Sequence, residues 1–202
     1  MIIIHHAAKT RATRLVWLLE ELGVPYELAP VEFRSATLRS PAYLALHPLG
    51  QVPVLRDGPL VMIESIAIMQ YLLERHGQGA LEPRLDSAER GPYLQWLHFA
   101  EANFARYVGD IVRNRHLKPE ALRIPAVVDD ARLRLRERLA LLDSVLSDRE
   151  YLLQSGFSAA DVAMGYGLML AKLVNELPAE YPHVSAYLAR LEARPSYQKA
   201  MG

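Results

Sequence analysis

The chain has no cysteine. That removes disulfides, thiolate metal sites, a Cys-x-x-Cys redox pair and a cysteine nucleophile together. Net charge is also missing: 23 Lys and Arg oppose 23 Asp and Glu, and residues 1–80 carry 7 of each sign. The basic excess that marks a nucleic-acid surface is therefore lacking. Apolar runs are short, as at Ile2 to Ile4, whereas a membrane span needs roughly 18 residues. The opening Met-Ile-Ile-Ile-His-His has no positive segment and no small-residue cleavage site. The expectation is a soluble, cytoplasmic protein with neither a membrane nor a nucleic-acid partner. Gly-x-Gly-x-x-Gly, the P-loop, Gly-x-Ser-x-Gly and His-Glu-x-x-His are all absent. His5 and His6 are adjacent on an extended segment, so they face opposite ways and cannot chelate one ion. No metal is expected.

What is present is enough apolar surface for a core, 51% of 202 residues, arranged as one large domain or two small ones. Ile2 to His5 reads as a strand buried on both faces. Leu15, Val16, Leu18, Leu19 and Leu22 follow at helical spacing, closed by Gly23 and Pro25. Tyr26 to Val31 is a second strand, giving a βαβ unit with a parallel pair. Residues 34–53 are polar and punctuated by proline, with a helical turn at Pro41 to Leu46. Val52 to Arg56 and Leu60 to Ile63 are strand-like around a hairpin signal at Asp57-Gly58. A helix over 64–76 ends at Gly77. Residues 78–86 form a linker. Beyond it the patterns are helical only, over roughly 87–116, 119–147, 158–175 and 182–192.

Several strings carry a resemblance. Leu15-Val-Trp-Leu-Leu-Glu-Glu-Leu-Gly-Val-Pro-Tyr-Glu-Leu28, His47-Pro-Leu-Gly-Gln-Val-Pro-Val-Leu55, Glu64-Ser-Ile-Ala-Ile-Met-Gln-Tyr-Leu72 and Phe157-Ser-Ala-Ala-Asp-Val162 occur in order. Together they resemble the cytosolic glutathione S-transferase family along essentially the whole chain. The resemblance implies an α/β plus all-α architecture. A thioredoxin-like, glutathione-binding N-terminal domain (βαβ–ββα) spans residues 1–77, and an all-helical C-terminal domain with the electrophile site spans 87–202. It also implies a homodimer, and glutathione as co-substrate in conjugation to a small apolar electrophile. The alternative is a non-catalytic glutathione- or ligand-binding protein of the same fold.

The resemblance further implies a cis bond before Pro53, with Gln51 and the Val52 backbone facing an extended peptide. Ser65, read as a helix N-cap, and Glu64 would take the γ-glutamyl carboxylate and ammonium of glutathione. Helix capping alone is the other reading of that pair. Arg39 is either a contact for the glycine carboxylate or a solvated loop arginine. Thr10 falls where the family carries the hydroxyl that meets the glutathione sulfur, and its other reading is a helix cap. Arg11 is a second candidate for stabilising the thiolate. Ala7, Ala8, Phe104, Tyr107 and Val108 are candidates for the electrophile pocket; the last three share one helix face, where core packing is the competing role. Ser158 to Asp161 is a capping box with Phe157 as its staple residue, and Asp161 is assigned to structure rather than to general-base chemistry.

Overall fold

The β-branched start of the chain forms β1 (Ile2–His6), the strand on which the first sheet is built. The computed structural model describes residues 1–202. β1 pairs in parallel with β2 (Tyr26–Pro30) and antiparallel with β3 (Val54–Asp57), which pairs antiparallel with β4 (Leu60–Met62). The sheet order is β2-β1-β3-β4. Ile2 and Ile4 are buried, while Ile3 and His5 are only half-buried. One face of β1 is thus more completely covered than the two-sided burial expected from its composition.

The parallel pair requires a crossover, and α1 (Thr13–Leu22) supplies it. Gly23 ends α1 in the left-handed conformation at φ 63°, and the Val24 N–H returns to the Leu19 carbonyl at 3.1 Å, a Schellman-type stop. Leu15, Leu18 and Leu19 of α1 are fully buried, as are Ile68, Met69 and Leu72 of α3 (Ser65–His76). On the other face, Val31, Leu38, Tyr43 and Val54 form a second cluster around the short α2 (Pro41–Leu44). The ring contact of His5 with Tyr43 and the 3.4 Å contact of His6 Nε2 with Thr13 Oγ1 place the two histidines on opposite faces. At the far end, Asp57 accepts hydrogen bonds from Tyr71 and His76, both at 3.0 Å, tying β3 to α3. The His76 contact holds the Asp57 carboxyl below the usual carboxylate range.

The chain divides into two compact units, Met1–Leu81 with Ala193–Gly202, and Glu82–Glu192. The last ten residues thus differ from the expected assignment to the helical domain. They form α9 (Pro195–Met201), which packs on α1. Arg194 is bidentate to Glu21 at 2.7 and 2.8 Å, Trp17 donates to Glu21 at 2.9 Å, and Tyr197 stacks edge-on against Trp17. The Pro195 that signals a break is the first residue of this helix, a position where its missing N–H costs nothing.

The second unit is helical. Its first run comprises α4 (Arg90–Phe99), a π-helical turn over Ala100–Ala105, α5 (Arg106–Val112) and a second π-helical turn over Arg113–Leu117. α6 (Pro125–Val145), α7 (Ala159–Leu173) and α8 (Pro182–Glu192) follow. No helix is long and apolar enough to cross a membrane. α7 is buried on every side over its first ten residues. Small residues let its neighbours approach: a Cβ on Gly167 would lie 2.7 Å from Phe104 Cδ1. The expected capping box opens α7. Asp161 is fully buried and accepts from the Ser158 N–H (2.8 Å), the Ser158 hydroxyl (2.9 Å), the Leu152 N–H (2.9 Å) and the Tyr187 hydroxyl (2.8 Å). Burial pushes its carboxyl pKa up, against the pull of those donors.

Asp161→Ala strands those buried donors and should cost about 3 kcal/mol or more. Ser158→Ala removes only the hydroxyl's part in the cap and should cost about 1 kcal/mol. Denaturant unfolding of both variants beside wild type checks that order, and equal losses would mean that Asp161 is no more than a cap partner.

Candidate functional site

Register brings the candidate residues to one end of the sheet. His5 pairs with Val54, so the end of β1 lies beside the start of β3, and β4 runs directly into α3 through Ile63 and Glu64. The β1–α1 loop, the segment before β3 and the first turn of α3 therefore converge. Thr10, Arg11, Gln51, Val52, Pro53, Glu64 and Ser65 all belong to these segments.

The His47–Gln51 turn is pinned from several directions. Its amides are held from within: the Gly50 N–H donates to the His47 carbonyl at 2.8 Å, and the Leu49 N–H donates to His47 Nδ1 at 3.2 Å. Arg39, on the 3₁₀ turn Ala36–Arg39, donates to the Leu49 carbonyl at 3.1 Å, and the Tyr43 hydroxyl donates to the Gln51 carbonyl at 2.8 Å. Burial raises the Tyr43 hydroxyl to about 12, so it remains a donor. Gly50 has φ +59°, and a Cβ there would stand 2.3 Å from the Leu38 carbonyl oxygen, so no other residue fits. Arg39 thus holds the turn from an exposed position, a role that neither of its sequence readings contained. Tyr43 and His47 are likewise structural members of the site that sequence reasoning passed over. His47 opens the His47–Leu55 segment that resembles the family, while nothing in the pattern around Tyr43 singles it out.

The Val52–Pro53 bond is cis, as the resemblance implies. β3 begins at Val54, so Val52 lies outside the ladder, and its N–H and C=O take no backbone partner. Gln51 and Glu64 are exposed beside it in sequence and at the head of α3 respectively.

Ser65 is not the N-cap. Glu64 occupies that position with φ 73° and ψ 101°, a sparsely populated region for a residue with a side chain, and makes no side-chain capping bond. Ser65 is the first helical residue. Its buried hydroxyl oxygen faces Arg14 Nη1 at 3.4 Å. The head of α3 therefore presents backbone N–H groups that no side chain of its own caps.

Thr10 has its hydroxyl proton engaged. It donates to the Ala7 carbonyl at 2.6 Å, and the oxygen accepts from the Ala12 N–H at 3.3 Å. This is a turn bond ahead of the helix: the N-cap of α1 is Ala12, without a side-chain capping bond, so Thr10 does not fill the capping role. Arg11, the next residue, is half-buried.

The structure corrects two of the electrophile-pocket candidates. Phe104 and Val108 are fully buried, with Phe104 against Gly167, and offer no surface to a ligand. Tyr107 is half-buried, and its ring lies under the guanidinium groups of Arg106 and Arg138 at 5.6 and 4.9 Å. Ala7 is buried and Ala8 exposed. No group of three or more His, Asp or Glu side chains is arranged to hold a metal ion.

Comparison with known proteins identifies the family. Residues 1–74 match the glutathione S-transferase N-terminal domain, and residues 100–195 match the C-terminal domain of the same family. Glutathione S-transferase 3 of Schizosaccharomyces pombe is 31% identical over 97% of this chain and 85% of its own length. A theta class glutathione S-transferase from Xanthomonas axonopodis pv. citri, solved with glutathione bound, is 33% identical. It covers 99% of this chain and 96% of its own, at a TM-score of 0.84. The transferase URE2P6 of Phanerochaete chrysosporium, solved with oxidized glutathione, is 26% identical. It covers 98% of this chain and 94% of its own, at a TM-score of 0.88. With both domains matched in chain order and relatives aligned along nearly its full length, the chain belongs to the glutathione S-transferase family, with that family's thioredoxin-like first unit and helical second unit.

Proposed function

We propose that the protein is a glutathione transferase that activates the thiol of glutathione and conjugates it to a small apolar electrophile. The observation that carries this reading is the Val52 backbone, free of the sheet ladder, beside an α3 head that no side chain caps. An extended peptide pairs with such a backbone as an added strand. The γ-glutamyl carboxylate is accommodated by the N–H groups of Ser65 and its helix neighbours and by the Ser65 hydroxyl. The ammonium group meets the exposed Glu64 carboxylate and the Gln51 side-chain oxygen. Arg39, already on the rim of the turn, takes the glycine carboxylate if it releases Leu49. The family relative solved with glutathione bound supports this choice of ligand. Of the electrophile candidates, Ala8 and Tyr107 have surface to offer. We place the protein in the cytoplasm, where glutathione is kept reduced.

Retention on immobilised glutathione, together with turnover of a generic aryl halide, is the expected result. Retention without turnover across several electrophile classes would instead identify a binding protein, the reading that the engaged Thr10 hydroxyl favours. A homodimer is also expected, with the first unit of one subunit against the helical unit of the other. A monomer mass in light scattering at micromolar concentration would overturn it.

Thr10 sets the size of the thiol effect. To reach sulfur, its proton must leave the Ala7 carbonyl. A neutral hydrogen bond is worth about 0.5–1.5 kcal/mol and one to a charged group about 1.5–3 kcal/mol, so the exchange gains about 1 kcal/mol. That is less than one unit of thiol pKa, at about 1.4 kcal/mol per unit. Thr10→Ala should therefore lower kcat/KM at pH 6.5 by only about fivefold. Glutathione affinity should change little, and the penalty should shrink as pH rises and thiolate forms unaided. Thr10→Ser, which drops the methyl that restricts χ1, should retain or improve activity. An unchanged pH–rate profile in Thr10→Ala would reduce the hydroxyl to its turn bond with Ala7 and pass its role to Arg11 or a backbone N–H.

A further inference from the structure

His47 is 5% exposed and stands four residues before Gln51. Its ring Nδ1 accepts the Leu49 N–H, which puts the proton of the neutral imidazole on Nε2. Its carbonyl accepts the Gly50 N–H, and its own N–H donates to the Tyr43 carbonyl at 2.9 Å. One residue therefore holds two amides of the turn and ties the turn to the end of α2. Gly50, packed against the Leu38 carbonyl, leaves the turn no room to shift toward the neighbouring loop.

We propose that His47 is a positioning residue for glutathione: its neutral ring, as acceptor for the Leu49 N–H, keeps the His47–Gly50 turn in the shape that presents Gln51 and the Val52 backbone. The proposal rests on the glutathione-binding reading given above. It also makes the turn sensitive to acid. A proton on Nδ1 would face the Leu49 N–H, setting donor against donor, and the contact would open. The charged and titratable groups around the ring are few. The Glu64 carboxylate, ahead of α3, favours the protonated ring, as does the residue's own carbonyl. The Arg39 guanidinium lies on the Leu49 carbonyl and the Tyr43 hydroxyl on Gln51. Burial outweighs the favourable groups and lowers the imidazole pKa. The acceptor form is thus complete above the ordinary histidine value of about 6.5 and is lost as pH falls through the lowered one. Asparagine would do the same work without titrating, because its side-chain oxygen accepts the N–H two residues on.

The test is calorimetric titration of reduced glutathione between pH 5 and 8 into wild type, His47→Asn and His47→Leu, with conjugation kinetics at pH 7.5. His47→Asn should bind like wild type at pH 7.5. His47→Leu should bind about tenfold more weakly, with the loss in KM for glutathione and kcat nearly unchanged. Wild type should lose affinity toward pH 5 by a margin that His47→Asn does not show. Nitrogen-15 NMR of the ligand-free wild type, which needs no variant to fold, should report the Nε2–H tautomer above pH 7. Wild-type affinity in His47→Leu, an equal acid loss in His47→Asn, or an Nδ1–H tautomer would each overturn the proposal. If wild type bound no glutathione at any pH, the functional reading itself would fall, and the proposal with it.

Discussion

β1 has a hydrogen-bonded partner on each edge, and the position of the site follows from that. The parallel partner β2 requires α1 as a crossover, which fixes the β1–α1 loop and Thr10 at the carboxyl end of β1. The antiparallel partner β3 brings its amino end to the same place, and with it the segment from His47 to Pro53. A one-residue slip of β3 would turn Val54 and Leu55 to the wrong faces, moving apolar side chains out of both clusters. The burial of Ile4, Val54 and Leu55 therefore protects the register on which the placement of the His47–Pro53 segment depends.

The two units solve the problem of buried polarity differently. In the helical unit, a single carboxylate, Asp161, absorbs the polar groups at the head of α7 and the Tyr187 hydroxyl, so the rest of that helix can be apolar and small. In the first unit, polar groups at the site are only partly absorbed. The hydrogen bonds of Tyr43, His47 and Arg39 shape the turn but leave the Val52 backbone outside the ladder. Under the proposed function a ligand that brings its own donors and acceptors would complete what the protein leaves open, and a short peptide would gain affinity without a deep apolar pocket.

Under the proposed function the thiol chemistry is a matter of small differences. The Thr10 proton is held by the Ala7 carbonyl, so the hydroxyl would contribute by exchange, for about 1 kcal/mol, rather than by a newly made bond. On that reading the geometry of the turn, which would set the affinity for glutathione, carries correspondingly more weight. That shifts attention from the hydroxyl to the residues that hold the backbone.

Periodicity and punctuation determined most elements by themselves. The strands and helices of the first unit, the helical character of the second and the capping box at Ser158 to Asp161 were legible because each is a local property of spacing, turn residues and caps. Motif order likewise determined the family. Tertiary structure decided the rest. α9 joins the first unit because Arg194, Trp17 and Glu21, more than 170 residues apart along the chain at their extremes, meet in space. Phe104 and Val108 proved to be core, Phe104 because Gly167, without a Cβ, lets α7 close on its ring, and helical spacing cannot tell a core face from a pocket face. Ser65 yielded the cap position to Glu64, Thr10 turned its proton to Ala7, and His47 acquired its role through a ring nitrogen aimed at Leu49. These are statements about dihedral angles and the direction of a single hydrogen bond, and residue identity and spacing leave both undetermined until the chain has folded.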